Sequence, residues 1–229
     1  MTAEDGKIYE KTAILEWFAK KSNPTTSPGT GAVIGTRLLP AVQVRNTIES
    51  LVKSGAIEGE IAEAWKQKLA DEKLVKKMRA KAEGRDGDAM FRLGVWHEKG
   101  TNGFAKDAAQ ARAWYERSAA ARDPKGMACF GSCLLWGFGG PIGTSLGLIT
   151  VTQAADRGSD LGAYRLGKAF IKGLYGLSKD PVRARLWLTK VVDGECEVRH
   201  LSDRAKADAV RLFRELPGRL GRRSGSGGQ

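Results

Sequence analysis

Ala89-Met90-Phe91-Arg92-Leu93-Gly94, Gly126-Met127-Ala128-Cys129-Phe130-Gly131 and Gly162-Ala163-Tyr164-Arg165-Leu166-Gly167 can be laid over one another. Their closing glycines stand 37 and then 36 residues apart. Each is followed by a glycine-rich turn, within Gly100–Gly103, Gly137–Gly143 and Gly173–Gly176. Each turn is followed by a second segment of helical spacing. Lys106-Asp107 leads into Ala111, Trp114, Tyr115 and Ala119-Ala120. Thr144-Ser145 leads into Leu148, Ile149 and Ala154-Ala155, and Lys179-Asp180-Pro181 into Ala184, Trp187, Leu188 and Val191-Val192. Self-similarity at this period predicts a solenoid of about three helix-turn-helix repeats over residues 85–216.

The repeated small residues have a mechanical reason. Stacked helices approach closely, so Gly94, Gly131 and Gly167 fall where a Cβ would collide with a partner helix. Leu93 and Leu166 beside them, with Phe91, Trp114, Phe130, Tyr164 and Trp187, are expected to fill the space between repeats. Residues 203–216 place Ala205, Ala209, Leu212, Phe213 and Leu216 on one side and predict a helix that caps the array.

The pattern A-x-x-x-L-G, glycine turn, D-x-x-x-A-x-x-W-Y/L-x-x-A-A resembles the Sel-one-like repeats, relatives of the tetratricopeptide repeats. The first and third copies follow it well. The second departs, with Cys129-Phe130 before its closing glycine and Gly147-Leu148-Ile149 in place of the Ala-x-x-Trp-Tyr step. The resemblance implies a surface that binds a protein.

Outward from the repeats, residues 57–84 lack proline and are heavily charged, which predicts one linking helix. Ile57, Ile61, Trp65 and Leu69 recur every fourth residue and read as its apolar face. The basic run Lys73 to Lys81 is interleaved with no aromatic and reads as a solvated side. At the other end, residues 217–229 are glycine- and arginine-rich with too few apolar residues to pack, and are expected to be disordered.

Residues 1–56 differ again, with three prolines and several turn clusters. Lys7-Ile8-Tyr9 reads as a short strand after the Asp5-Gly6 turn. A helix then starts near Glu10-Lys11-Thr12, with Ile14, Trp17 and Phe18 on its buried side. A Pro- and Thr-rich loop follows, and Val44 to Val52 predicts a second amphipathic helix. Gly29-x-Gly31-x-x-x-Gly35 lacks the preceding strand and following helix of a nucleotide-binding loop, and is read as loop.

The order Asp5-Gly6-x-x-Tyr9-Glu10-Lys11, Ala13-Ile14-x-x-Trp17-Phe18, Thr26-Ser27-Pro28-x-Thr30-Gly31 and Leu39-Pro40 followed by Val44-Arg45-Asn46-Thr47-Ile48 resembles the U-box of ubiquitin ligases. The family's first loop and first strand precede the part matched here, so the resemblance is to an N-terminally incomplete domain. Ala41 stands where the family usually has Asn, and Gly29 and Gly31 where it has larger side chains. The resemblance implies a small α+β module, RING-like in shape but without zinc. Gly6, Tyr9, Leu39, Pro40 and Ile48 would be structural there. Ile14, Trp17 and Pro28 would dock a ubiquitin-conjugating enzyme. Such a domain has no catalytic residue of its own; it positions a loaded enzyme so that a substrate lysine attacks the thioester.

Composition bounds the remaining classes. The chain has 229 residues, with 38 Lys+Arg against 26 Asp+Glu, a formal net charge of +12, two histidines and three cysteines. His97 and His200 have no nucleophile or carboxylate constellation in sequence and are expected to be satisfied structural or surface residues. Cys129, Cys133 and Cys196 offer neither zinc-site spacing nor a disulfide framework, so no metal or cofactor is expected. Reduced thiols and the lack of a leader point to the cytoplasm or nucleus. No apolar stretch reaches the ~20 residues of a membrane span. The positive charge is spread over the linking helix, the repeats and the tail, which favours protein partners over nucleic acid.

The mainly α sequence therefore reads as a partial U-box (1–56), a charged linker helix (57–84), Sel-one-like repeats with a capping helix (85–216) and a tail (217–229). The expected function is a U-box ubiquitin-protein ligase that recruits a substrate through its repeats. The alternative is a non-catalytic scaffold or adaptor. Pairing of two copies is open on either reading.

Overall fold

Six helix starts in the repeat region carry a side chain able to accept from a backbone amide. The computed structural model uses all six. It describes residues 1, 3, 7, 9–20, 26, 28–33 and 42–217. Asp86, Asp123, Ser159 and Ser202 cap four helices by accepting from the amides of Ala89, Gly126, Gly162 and Ala205. Asp107 and Asp180 do the same for Gln110 and for Val182 and Arg183. Each cap satisfies an amide that the first turn leaves orphaned. Gly143, in the divergent second copy, starts its helix with no side-chain cap.

Ten helices form among the described residues. They are α1 (Lys11–Lys20), α2 (Val42–Lys53), α3 (Glu60–Glu83), α4 (Gly87–Lys99), α5 (Ala108–Ala120), α6 (Pro124–Trp136), α7 (Thr144–Asp156), α8 (Asp160–Lys172), α9 (Pro181–Val192) and α10 (Asp203–Glu215). They fall into two units, Met1–Leu69 and Ala70–Gln229.

In the second unit α4/α5, α6/α7 and α8/α9 form three antiparallel pairs, and α10 packs on the last. The first helix of each pair ends on a glycine in the left-handed region: Gly100 at φ 69°, Gly137 at 70° and Gly173 at 65°. That conformation costs an L side chain energy and costs glycine little. Successive first helices touch: α4 with α6, α6 with α8, and α8 with α10. The second helices α5, α7 and α9 do not touch one another. The array therefore curves, with the first helices on the inner, concave side.

The closing glycines of the repeats lie at the tightest approaches. A Cβ on Gly94 would lie 2.6 Å from the Tyr115 ring, and on Gly131 2.6 Å from Val151 Cγ2. On Gly167 it would lie 2.6 Å from Leu188 Cγ. Leu93 and Leu166 are buried beside them. Phe130 is buried against Tyr115, Cys133 and Leu134.

Several side chains depart from the expected pattern. Tyr115, at 1% exposed, is the buried aromatic of its helix, while Trp114 is half-buried beneath the Arg117 guanidinium. Trp187 is likewise half-buried, with the Lys190 ammonium over its ring. In α3, Ile61 is 79% exposed and Ala62 is buried in its place. The helix expected over 57–84 begins at Glu60, so Ile57 lies before it, and the i, i+4 row Ile61, Trp65, Leu69 drifts by about 40° per step around a 3.6-residue helix. In the first unit the inward line steps by three and four through Ala62, Trp65 and Leu69; in the second unit Met78 and Ala82 are buried four apart.

In the first unit, α1, α2 and an isolated antiparallel bridge between Thr26 and Val33 are present. Ala3 N–H donates to Lys7 O at 3.0 Å, and Tyr9 N–H to Met1 O at 2.8 Å. No strand forms among the described residues, so the small α+β module expected there is not supported. No helix among them is long and apolar enough to cross a membrane.

Candidate protein-binding surface

The concave side of the second unit gathers side chains from α4, α6, α8 and α10. Two adjoining cavities share Arg165. The first, of about 490 Å³, lies between α8 and α10 and is lined by Tyr164, Arg165, Lys168, Arg204, Asp208 and Arg211 among others. The second, of about 180 Å³, is lined by Glu98, Cys129, Cys133, Trp136, Phe138 and Leu161 with Arg165.

Asp208 organises the first cavity. Its carboxylate accepts from the Tyr164 hydroxyl at 2.6 Å and from Lys168 Nζ at 3.1 Å, and it pairs with Arg211. The Tyr164 hydroxyl above all, then Arg211 and Lys168, hold its carboxyl well below the usual carboxylate range. The hydroxyl also raises the Lys168 pKa, followed by Asp208, so this ammonium stays charged. Arg204 is exposed and makes no ion pair among the described residues.

Arg165 sits where the cavities meet. Its guanidinium lies 3.9 Å from the centroid of the Trp136 ring. Trp136 is 50% exposed and donates through Nε1 to the Tyr175 hydroxyl at 2.7 Å. Arg165 Nε is buried without a hydrogen-bond partner, and burial lowers the arginine's pKa. Glu98 is engaged by the Tyr115 hydroxyl and makes no ion pair with Arg165. Burial raises the Cys129 thiol far above its ordinary value and pushes Cys133 up to about 11. Both stay protonated near neutrality and are poor nucleophiles.

A third cluster joins the starts of the inner helices. Lys125 Nζ reaches Asp88 Oδ1 at 2.7 Å and lies over the Phe91 ring. Phe91 in turn meets the His200 ring edge-on, centroids 5.7 Å apart. Asp160 is buried and accepts from the amides of His200 and Leu201 at 3.0–3.1 Å. His200 Nδ1 lies 3.4 Å from Asp160 Oδ1, yet neither ring nitrogen has a hydrogen bond. His97 Nδ1 is unpartnered as well. His200 is therefore packed with both ring nitrogens unpartnered, and His97 with its Nδ1 unpartnered. Burial lowers both their pKa values. No group of three or more His, Cys, Asp or Glu among the described residues could hold a metal.

The first unit holds the residues expected to dock a conjugating enzyme. Ile14 is 1% exposed, so its side chain belongs to that unit's interior. Trp17 is half-buried and donates through Nε1 to Thr26 O at 2.7 Å. Pro28 is exposed in the turn that follows. Tyr9 Oη accepts from Gly29 N–H at 3.2 Å, and Ile48 is half-buried on α2. Gly6, Leu39 and Pro40 lie outside the described residues.

The Sel1 repeat model matches residues 87–123 and 161–191. Those two stretches are similar to the Sel1 repeat. The matched ranges coincide with α4–α5 and with most of α8–α9, leaving the divergent α6–α7 pair between them. A Sel1 repeat protein from Oxalobacter formigenes is similar at 23% identity and a TM-score of 0.48, over 63% of this chain and 55% of that one. The protective antigen c5321 of uropathogenic Escherichia coli, described as displaying an SLR fold, is similar at 21% identity and a TM-score of 0.46. That likeness covers 77% of this chain and 41% of that one. This chain thus spans about half the length of either. No curated protein matches the sequence.

Proposed function

We propose that this protein is a non-catalytic scaffold that holds a protein partner on the concave face of its Sel1 repeats. The observation that carries this reading is the open inner surface around Trp136 and Arg165. A half-exposed tryptophan and a partly desolvated, unpaired guanidinium are the side-chain types that dominate protein interfaces. The thiols nearby are protonated, and the side chains on this face offer binding contacts, not an acid–base pair. On this reading residues 85–216 are the binding module and 57–84 the helix that leads into it.

The test is affinity capture with the full chain, compared by quantitative mass spectrometry with Trp136→Glu and with Asp156→Ala. Asp156 is exposed on α7, away from the inner face. Loss of a defined set of proteins with Trp136→Glu alone is the expected result. An identical set from all three chains refutes the reading.

A second reading has its own support in the first unit. The hydrogen bonds from Trp17 to Thr26 and from Gly29 to Tyr9 tie α1 to the turn that presents Pro28, in the order the U-box resemblance implies. On that reading the unit docks a ubiquitin-conjugating enzyme and the repeats bring the substrate. A ubiquitin-transfer assay with a panel of conjugating enzymes decides it. Chain formation weakened by Pro28→Ala supports ligase activity, and no chains with any enzyme refute it.

A further inference from the structure

The groove between α8 and α10 is unlike the rest of the inner face in its charge. Arg165, Lys168, Arg204 and Arg211 line it against Asp208 alone. Asp208 is already saturated by Tyr164, Lys168 and Arg211. Glu215 engages the far side of Arg211. Arg204 and Arg165 are left without a counter-charge among the described residues, and Arg165 Nε is buried with nothing to donate to. A partly desolvated cation without an anion is costly, and an incoming carboxylate would remove that cost. Immediately beyond Arg165, the smaller cavity is lined by Trp136, Phe138, Leu161 and two protonated cysteines. Its volume suits one apolar side chain.

We propose that this groove binds an extended acidic peptide segment of the partner. Its carboxylates would meet Arg165, Lys168 and Arg204, and a neighbouring apolar side chain would enter the cavity beside Trp136. The proposal rests on the scaffold reading and adds the chemistry of the partner. A nucleic acid fits less well, because the aromatic faces it would stack on are occupied. Arg165 covers the Trp136 ring, and the Tyr164 ring has Arg165 and Lys168 against it.

The experiment selects a displayed random dodecapeptide library on the full chain. The affinity of the winners is then measured against Arg204→Glu and Arg165→Gln. Arg204 is exposed and unpaired, so its reversal leaves folding intact. Far-UV circular dichroism checks the Arg165 variant. The expected winners carry Asp or Glu next to an apolar residue. They lose affinity about tenfold or more in either variant, and further with rising salt. Three results overturn the proposal: winners without acidic enrichment, affinities untouched by both variants, or no peptide selected at all. Displacement of the winners by a mixed-sequence RNA that binds more tightly also overturns it, in favour of a nucleic-acid site. The capture experiment above reports separately on the scaffold reading. Partners lost with Trp136→Glu while this proposal fails would show a scaffold with a different ligand chemistry.

Discussion

Gly131→Ala tests the packing that makes the solenoid. Gly131 lies inside α6, where it faces α7. In an exposed helix interior, glycine to alanine would stabilise by ~0.8–1 kcal/mol through backbone entropy. Here the added Cβ would sit 2.6 Å from Val151 Cγ2 and 3.0 Å from both Gly147 O and Val151 N. Two of those three atoms are backbone and cannot turn aside. Overpacking of this kind costs about 1–3 kcal/mol, and a backbone clash belongs to the upper part of that range. Subtracting the propensity term leaves a net loss of about 1–2 kcal/mol. For a chain of this size that lowers Tm by roughly 2–8 °C. Urea unfolding followed by far-UV circular dichroism reads the same loss as a lower midpoint with unchanged slope. Adding Val151→Ala should recover only part of it, because the backbone contacts persist. A Gly131→Ala variant as stable as the parent, or more so, would refute the close approach of α6 and α7.

The buried Leu188 makes no surface contribution, so Leu188→Ala should cost about 2–5 kcal/mol in the same unfolding assay. Asp208→Ala removes the acceptor that ties α8 to α10 and should destabilise by about 1–3 kcal/mol, with hydrogen exchange accelerated in α10 before the other helices. Burial lowers the His200 pKa from its ordinary 6.5, so the unfolded chain binds the proton more readily. That contribution is complete above pH about 6.5 and is lost as pH falls through the window below it. His200→Phe should flatten the stability–pH curve there; a curve of unchanged slope would remove His200 as its cause.

The repeat architecture was legible because its constraints are local in sequence. A glycine at every close approach and a glycine at the turn each act within a few residues. They recur at a fixed period, so Leu93-Gly94, Phe130-Gly131 and Leu166-Gly167 could be placed before any coordinates. The proposed binding surface was not legible in the same way. Asp208 meets Tyr164 and Lys168 from 44 and 40 residues away, and His200 meets Asp160 from 40. The curvature of the array creates these meetings, and the spacing within one repeat does not encode them. Arg165 is a further case. It stands inside the repeated A-Y-R-L-G block without being singled out there, and its side chain turns inward to join two cavities. The choice between Trp114 and Tyr115 turned on one residue of helix rotation, about 100°. Ahead of and within α3, four apolar residues at steps of four looked like one helical face; Ile57 lies before the helix and Ile61 is turned out to solvent.

Site-specific photo-crosslinking tests the central claim most directly. A benzophenone amino acid is placed at Trp136 on the inner face or at Leu186, exposed on the outer helix α9. The account predicts crosslinks to a protein partner from position 136, suppressed by Arg204→Glu, and none from 186. Crosslinks from position 186 with none from 136 would contradict it.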